Sequence, residues 1–279
     1  MLRVVSLHRL FLPTSGEALP RKGSAVDLQL SGKHALVTGA SRGTGRFIAE
    51  RLIAEGMHVS FCARSAEGVA AAAAEMGEQA IGTAVDVEDL AAVAAWVDEC
   101  AERRGTIDVV VATTSAKGGI APSIEGWRKS FDVDVLSTVA VIDAALPHLK
   151  AAGGGSIVQL GTTASVEFHH FPGGGYSYGA MKAALVNYIS HLAKEVYADG
   201  IRANVVSPGP VYIDGGSWER IAQRMPDYYQ QHVDQHPAKR LGRPDEIANV
   251  VAFLASPMSS WINAQNIVVD GGFTQRVAY

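Results

Sequence analysis

Tyr178 and Lys182 are the two residues of this sequence whose chemistry and spacing are most informative. They lie four positions apart in YGAMK, at the start of a stretch with helical periodicity, so both side chains face one reacting centre. A cation beside a phenol stabilises the phenolate and lowers the phenol pKa from its usual value of about 10. The pair is a candidate acid–base centre, whereas the nearby Tyr176 has no lysine four residues after it.

A glycine-rich loop far upstream, TGASRGTG at 38–45, predicts a dinucleotide site. It lies directly between a strand-like run and a helical stretch, the setting that distinguishes a diphosphate-binding loop from an ordinary glycine-rich turn. Glycines permit the tight turn, the approach of backbone to the diphosphate and close helix packing, and the helix N-terminus favours an anion. The predicted coenzyme residues of this loop are Gly39, Ser41, Arg42, Gly43, Thr44 and Gly45.

The choice of dinucleotide depends on the residues that follow the second strand. NAD(H) sites carry an acidic residue there, which binds the ribose 2′-hydroxyl, but this sequence has Ala63 followed by Arg64. Together, Arg64 and Arg42 favour the 2′-phosphate of NADP(H); solvated surface charges are the alternative interpretation, and NAD(H) is the alternative coenzyme. Asp86, at the end of the third strand, is either an acceptor for the adenine amino group or the N-cap of a helix over 88–104.

These residues must be positioned by strands and helices that alternate along the chain. Continuous apolar runs between helical stretches are typical of parallel strands that helices cover on both faces. The sequence therefore predicts an α/β fold, a Rossmann-type doubly wound parallel sheet of about seven strands with helices on both faces. The predicted strands are 34–39, 57–63, 80–86, 107–113, 156–162, 201–209 and 266–272. The predicted helices are 44–55, 66–76, 88–104, 124–150, 177–199 and 244–255.

Composition excludes several other classes of protein. The net charge is −4 and no long run of Lys or Arg occurs, so the basic footprint of a nucleic-acid-binding protein is absent. No apolar run is long enough to span a membrane as a helix. Cys62 and Cys100 belong to no CxxC or Cys/His cluster, so we expect reduced thiols, no metal site and a cytoplasmic location. Residues 1–26 are predicted to be a poorly ordered extension, with a targeting peptide as the alternative, before a single domain over 27–279.

From about Leu28 to the C-terminus, the sequence resembles the short-chain dehydrogenase/reductase family in its compact single-domain form. The resemblance rests on an ordered set of motifs: TGASRGTG, the Asp86-Val87 pair, GSIVQLGT, YGAMKAAL, IRANVVSPG, GRPDEIANVVAFLASP and VVDGG. The sequence is similar in general to 3-oxoacyl-carrier-protein reductases and related ketone reductases. This similarity does not identify a substrate, because one fold hosts many activities.

The resemblance implies roles for particular residues. Tyr178 exchanges a proton with the substrate oxygen, Lys182 lowers the Tyr178 pKa and binds the nicotinamide ribose, and a hydroxyl after the fifth strand polarises the substrate oxygen. Strand register assigns that hydroxyl to Thr162, where the family usually has Ser; Thr163 and Ser165 are the alternatives. Further implied coenzyme contacts are Val87, Ala112, Pro208, Gly209 and Val211.

The sequence also departs from the family pattern. Asp134 is the fourth candidate catalytic residue; it stands where the family has an asparagine that holds a water molecule beside the lysine, and an aspartate could still hold that water. The segment 112–115 reads ATTS instead of NNAG. The segment 210–238 breaks the alternation and is predicted to cover the site. Candidate substrate contacts are Ser165, His169, Tyr212 and Trp218, for which packing or solvent exposure is the alternative.

The resemblance implies an enzyme that uses NADP(H) to interconvert a ketone and a secondary alcohol. An NAD(H)-dependent alcohol dehydrogenase is one alternative; a non-catalytic dinucleotide-binding sensor or scaffold is the other, motivated by the departures at Asp134, Thr162 and 112–115. We expect a small carbonyl or alcohol as substrate. The resemblance also implies a homodimer or homotetramer, formed through the helices after the fourth and fifth strands and through the C-terminal strand.

Overall fold

The computed structural model describes residues 26–116, 122–168 and 175–275. The predicted extension, residues 1–26, lies outside this part of the chain except for Val26, and His169 lies outside it as well.

Within the described residues, seven parallel strands form one sheet. The strands are β1 (His34–Thr38), β2 (His58–Ala63), β3 (Ala80–Ala84), β4 (Val109–Ala112), β5 (Gly155–Leu160), β6 (Ile201–Pro208) and β7 (Asn266–Val269). Their order across the sheet is β3-β2-β1-β4-β5-β6-β7. The chain reverses its direction of progress across the sheet between β1 and β4, and ligands of such sheets bind beyond the carboxyl ends of the strands at that point. The predicted doubly wound α/β fold is confirmed.

Helices cover both faces of the sheet because side chains alternate along each strand. The helices are α1 (Gly43–Ala54), α2 (Ala66–Met76), α3 (Leu90–Arg104), α4 (Ile124–Ser130), α5 (Ser137–Ala151), α6 (Tyr176–Glu195), α7 (Ser217–Arg224), α8 (Pro226–Gln235) and α9 (Pro244–Ala255). In β1, Leu36 packs into the core beneath α3, α5 and α6, whereas its neighbours Ala35 and Val37 pack beneath α1, α2 and α9. Double coverage explains why the strands read as continuous apolar runs.

The predicted helix 124–150 is not continuous. A π-helical segment, Phe131–Leu136, separates α4 from α5. In this segment the Ser137 amide donates to the Asp132 carbonyl, five residues back, and not to the Val133 carbonyl, four residues back, as it would in an α-helix. The Ser137 hydroxyl donates to the Val133 carbonyl at 2.6 Å, and the Thr138 hydroxyl donates to the Asp134 carbonyl at 2.9 Å. These hydroxyls satisfy backbone groups that a regular α-helix would pair internally.

The segment 210–238 forms two short helices, α7 and α8, which an aromatic cluster joins to the C-terminal part of the chain. Trp218 lies parallel to Tyr228 with ring centroids 6.2 Å apart, and its centroid is 4.8 Å from that of His232. His236 stacks on Phe273, just beyond β7, at 4.5 Å. The excursion is thus packed onto the loop that follows the last strand.

Both cysteines are free and buried, and this has a consequence at alkaline pH. Burial raises the thiol pKa of Cys62 to about 12 and that of Cys100 to about 11, from an ordinary value of 9.0. A raised pKa in the folded state contributes stability that is complete below pH 9 and is lost as pH rises through the folded values. Between these limits, we expect the free energy of unfolding to fall by about 1.4 kcal/mol per pH unit for each thiol.

Denaturant titrations over that alkaline interval measure this slope. A Cys62→Ala/Cys100→Ala variant is the control, and we expect a shallower pH dependence even where its stability at neutral pH is lower. An unchanged slope in the double variant would contradict the assignment to these thiols.

Candidate active site

The glycine loop after β1 has the geometry of a close backbone approach. Gly39 and Gly43 have φ values of +71° and +66°, which residues other than glycine rarely adopt. At Gly45, an added Cβ would lie 2.6 Å from Thr113 Oγ1 and 2.7 Å from the Gly39 carbonyl oxygen, so only glycine fits. Arg42 precedes α1 without a side-chain hydrogen bond to the first amides of the helix. Those amides point towards the region where a diphosphate would bind.

Threonine hydroxyls connect this loop to the end of β4. Thr38 Oγ1 accepts the Thr113 amide at 3.0 Å and lies 3.2 Å from Thr114 Oγ1, while the Thr113 hydroxyl donates to the Thr38 carbonyl. Thr114 Oγ1 lies 3.4 Å from Ser137 Oγ. Hydroxyl groups therefore replace the amide side chains of the expected NNAG motif and still join β1, β4 and α5.

Three predicted coenzyme residues follow the carboxyl ends of β1, β2 and β3. Arg42 and Arg64 are exposed, and neither guanidinium group has a hydrogen bond or ion pair to another described residue. Both guanidinium groups are therefore available to a ligand. Asp86 is exposed and accepts the Glu88 amide at 3.2 Å. The N-cap interpretation of Asp86 is wrong, because α3 begins at Leu90 and its N-cap is Asp89, which accepts the Ala92 amide at 3.0 Å.

The remaining predicted coenzyme residues lie along the carboxyl edge of the sheet. The side chains of Val87 and Ala112 are buried, so these residues can contact a coenzyme only through their backbone groups. Gly209 donates its amide to the Val269 carbonyl at 3.0 Å, and Val211 pairs with Gly242. Ser41, Thr44 and Pro208 are partly exposed beside them.

Tyr178 and Lys182 lie in the first two turns of α6, as the sequence predicts. The Lys182 side chain is only 2% exposed. Its Nζ donates to the Thr114 carbonyl at 3.2 Å and lies 3.1 Å from Asp134 Oδ1. The Asp134 side chain is equally inaccessible, and its Oδ2 accepts the Ala116 amide at 3.2 Å. The π-helical segment thus brings a carboxylate directly against the lysine.

The Tyr178 hydroxyl is the candidate acid–base group. Burial raises the pKa of this phenol to about 12, a hydrogen bond with the Thr162 side chain lowers it, and the Asp134 charge raises it. The lowering that the sequence predicts does not occur in the protein alone, because burial outweighs the hydrogen bond. Without a ligand, Tyr178 is a protonated phenol at neutral pH.

The three candidate hydroxyls after β5 have different surroundings. The Thr162 side chain forms a hydrogen bond with Tyr178, and its Oγ1 also accepts the Ala164 amide at 3.3 Å. The Ser165 hydroxyl donates to the Thr162 carbonyl at 2.6 Å, which turns it towards the backbone. Thr163 is 3% exposed. The geometry therefore favours Thr162.

The candidate substrate residues of the excursion take part in packing. Tyr212 meets Tyr229 edge to face at 6.4 Å, and Trp218 belongs to the aromatic cluster. Both remain partly exposed, so both remain available to a ligand.

Sequence reasoning missed two features of the site. The Thr114 carbonyl accepts from Lys182, and the π-helical segment positions Asp134. A backbone carbonyl has no side-chain signature. The consecutive hydroxyls of Ser137 and Thr138 were the one available signal for an interrupted helix, because such side chains bind the preceding carbonyls.

The described residues hold no helix long and apolar enough to cross a membrane, and no group of His, Cys, Asp or Glu arranged to bind a metal ion.

Comparison with known proteins identifies the family. The profile of the family described as Enoyl-(Acyl carrier protein) reductase matches residues 39–274. The chain is 36% identical to isoepoxydon dehydrogenase patN of Aspergillus clavatus over 254 residues, which cover 87% of this chain and 95% of that relative. It is 32% identical to the 3-oxoacyl-carrier-protein reductase FabG of Escherichia coli over 249 residues, 88% of this chain and 98% of that one.

A solved structure with the same fold is the L-sorbose reductase of Gluconobacter frateurii in complex with NADPH and L-sorbose. Its TM-score is 0.83 at 28% identity, over 90% of this chain and 100% of that one. A second is a 7α-hydroxysteroid dehydrogenase in complex with NADH, with a TM-score of 0.81 at 27% identity, over 90% of this chain and 98% of that one. On the strength of its motifs, its sheet and these matches, the chain belongs to the short-chain dehydrogenase/reductase family of oxidoreductases.

Proposed function

We propose that this protein is an NADP(H)-dependent oxidoreductase that interconverts a ketone and a secondary alcohol. The observation that carries the proposal is the convergence of Tyr178, Thr162 and Lys182 at the carboxyl edge of the sheet, beside the glycine loop. A proton donor, a second hydroxyl and a buried cation are the groups that carbonyl reduction needs around the substrate oxygen.

The chain's own residues fit a nicotinamide dinucleotide. The open space beside Gly43, where an added Cβ would meet no atom within 4 Å, and the uncapped start of α1 suit a diphosphate. Arg42 and Arg64, exposed and without partners among the described residues, suit the additional phosphate of NADP(H). The neighbouring structures carry NADPH in one case and NADH in another, so the preference rests on these two arginines.

When bound, NADPH supplies a hydride to the carbonyl carbon. In this mechanism Thr162 donates a hydrogen bond that holds the substrate oxygen, and Tyr178 transfers its proton to the same oxygen. Lys182, held by Thr114 and Asp134, lies where it can bind the nicotinamide ribose. In alcohol oxidation the same proton moves from the substrate to the Tyr178 phenolate.

The test is NADPH oxidation, compared with NADH oxidation, against a panel of ketones. The panel includes 3-oxoacyl thioesters and L-sorbose, because relatives are named for such substrates. We expect turnover with NADPH on at least one ketone. Tight NADPH binding by titration with no turnover on any ketone would favour the alternative of a non-catalytic dinucleotide-binding protein, and turnover with NADH alone would reject the assigned coenzyme.

We also infer a homodimer or homotetramer and a cytoplasmic location. Ile124 at the start of α4, Phe131 at the start of the π-helical segment, and Met258 and Trp261, near β7, are large apolar side chains that are 64%, 44%, 48% and 92% exposed. They offer two surfaces for association. Light scattering measures the mass in solution. The two buried thiols suit a reducing compartment.

A further inference from the structure

The buried ion pair of Asp134 and Lys182 changes the charge of the candidate acid–base centre. Both side chains are at most 2% exposed, and their charged atoms are 3.1 Å apart. An unpaired charge at such a depth is very costly, so each group depends on the other. Asp134 Oδ1 makes no hydrogen bond to the described residues, so its main interaction is the attraction to Lys182. The pair therefore has no net charge where a neutral amide at position 134 would leave a lone cation.

The phenol of Tyr178 senses the carboxylate of this pair. The groups around the phenol and the pair come from several elements: Asp134 from the π-helical segment and the neutral hydroxyl of Thr162 from the end of β5 act on Tyr178, and the Thr114 carbonyl from the end of β4 accepts from Lys182 of α6. Burial is the largest cause of the raised pKa of Tyr178, and the Asp134 charge raises it further. The carboxylate thus opposes the effect that a lysine has on a neighbouring phenol.

We propose that Asp134 is a positioning residue that neutralises Lys182 and keeps Tyr178 protonated, so that the site is set to donate a proton and to reduce a carbonyl. The inference rests on the proposed function and adds a direction to it. In that direction the carbonyl π bond breaks, a C–H bond forms with the hydride from NADPH, and an O–H bond forms with the phenol proton. The phenolate recovers a proton from water. Alcohol oxidation starts from the phenolate and is therefore confined to alkaline pH.

The test is an ultraviolet difference titration of the Tyr178 phenol in wild type and Asp134→Asn. The chain has eight tyrosines, so each curve is taken as the difference from the same protein carrying Tyr178→Phe. Asparagine keeps the shape of the side chain and removes its charge. We expect Asp134→Asn to move the titration to lower pH by about one pH unit or more.

Asp132→Asn is the matched control. Asp132 lies in the same π-helical segment and is only partly buried, without a contact to Lys182. Removing its charge is expected to leave the Tyr178 titration in place. An equal shift in both variants would overturn the inference, because the effect would then be one of net charge and not of the ion pair.

A second variant keeps the test valid if Asp134→Asn folds poorly. Asp134→Asn/Lys182→Met removes both charges, and replacement of a buried pair by neutral side chains is often tolerated. Its net charge at the site equals that of wild type, so we expect its Tyr178 titration to return towards the wild-type curve. A double variant that titrates at clearly lower pH than wild type would contradict the proposed neutralisation.

Activity provides the second readout. In Asp134→Asn, we expect the alkaline limit of ketone reduction to move to lower pH and alcohol oxidation to begin at lower pH. A purely structural role would lower both rates without moving either profile. A shifted titration in a protein that turns over no substrate would reject the proposed function and retain the role of Asp134; an active protein with an unshifted titration would overturn this inference alone.

Discussion

Replacing Tyr178 by phenylalanine is expected to lower kcat for ketone reduction by about 10²–10⁴-fold, the contribution of a positioned general acid. The ring remains, but the proton that Tyr178 transfers and the hydrogen bond with Thr162 are lost. Because the change removes an interaction with the reacting oxygen and none with the diphosphate, we expect the Kd for NADPH to stay within a few-fold. Steady-state kinetics and coenzyme titration on the same preparation measure the two effects separately.

Tyr176→Phe is the control for this experiment. Tyr176 lies on the same turn of α6, is 63% exposed and has no lysine four residues after it. It should lose a hydroxyl without losing activity. If Tyr178→Phe kept most of the wild-type kcat, or if Tyr176→Phe lost as much, Tyr178 would not be the acid.

Replacing Arg64 by alanine is expected to raise the Kd for NADPH by about 10- to 100-fold and to leave the Kd for NADH nearly unchanged. Charge-assisted hydrogen bonds are worth about 1.5–3 kcal/mol each, and a tenfold change in affinity corresponds to about 1.4 kcal/mol. Only NADPH carries the 2′-phosphate that an arginine at the end of β2 can bind. Fluorescence titration of both coenzymes gives the ratio directly, and Arg42→Ala should act in the same direction.

Arg46→Ala is the matched control. Arg46 also lies near the glycine loop, but its guanidinium group is already engaged with Glu50 at 2.7 Å and Glu75 at 3.1 Å. We expect this variant to leave the preference between NADPH and NADH unchanged. Equal losses for both coenzymes in Arg64→Ala would reject the 2′-phosphate contact and favour an NAD(H)-dependent enzyme.

Much of the fold could be predicted because burial on two faces leaves a clear pattern. The predicted helices 66–76 and 244–255 match α2 and α9 at both ends, and each of these helices has an N-terminal signal in Ser65 and in Pro244. The interruption of 124–150 was not predictable from periodicity. The apolar spacing continues through it, and what accompanies the interruption is a pair of hydroxyls that bind the carbonyls four residues back.

The site was predictable where a side chain carries the chemistry. The residue types and spacing of Tyr178, Lys182 and the glycines of the loop at 38–45 form a combination that few other kinds of site require. The direct contact between Asp134 and Lys182 was not predictable, because it depends on the phase of a helix that the sequence presents as regular. The same holds for the Thr114 carbonyl, since any residue type offers that group.

The π-helical segment also determines which kind of mutation the site tolerates least. A π-turn holds one residue more than the α-turn it replaces, so it accommodates an added residue that would rotate the rest of a regular α-helix by about 100°. Deleting a single residue from Phe131–Leu136 would restore a regular helix between α4 and α5 and remove the wider turn that places residue 134 against Lys182. Homologues that lack one residue here would have lost the ion pair even where they keep the aspartate. In this part of the chain, length therefore carries as much functional information as residue identity, and sequence alignments of the segment should be read for gaps before they are read for substitutions.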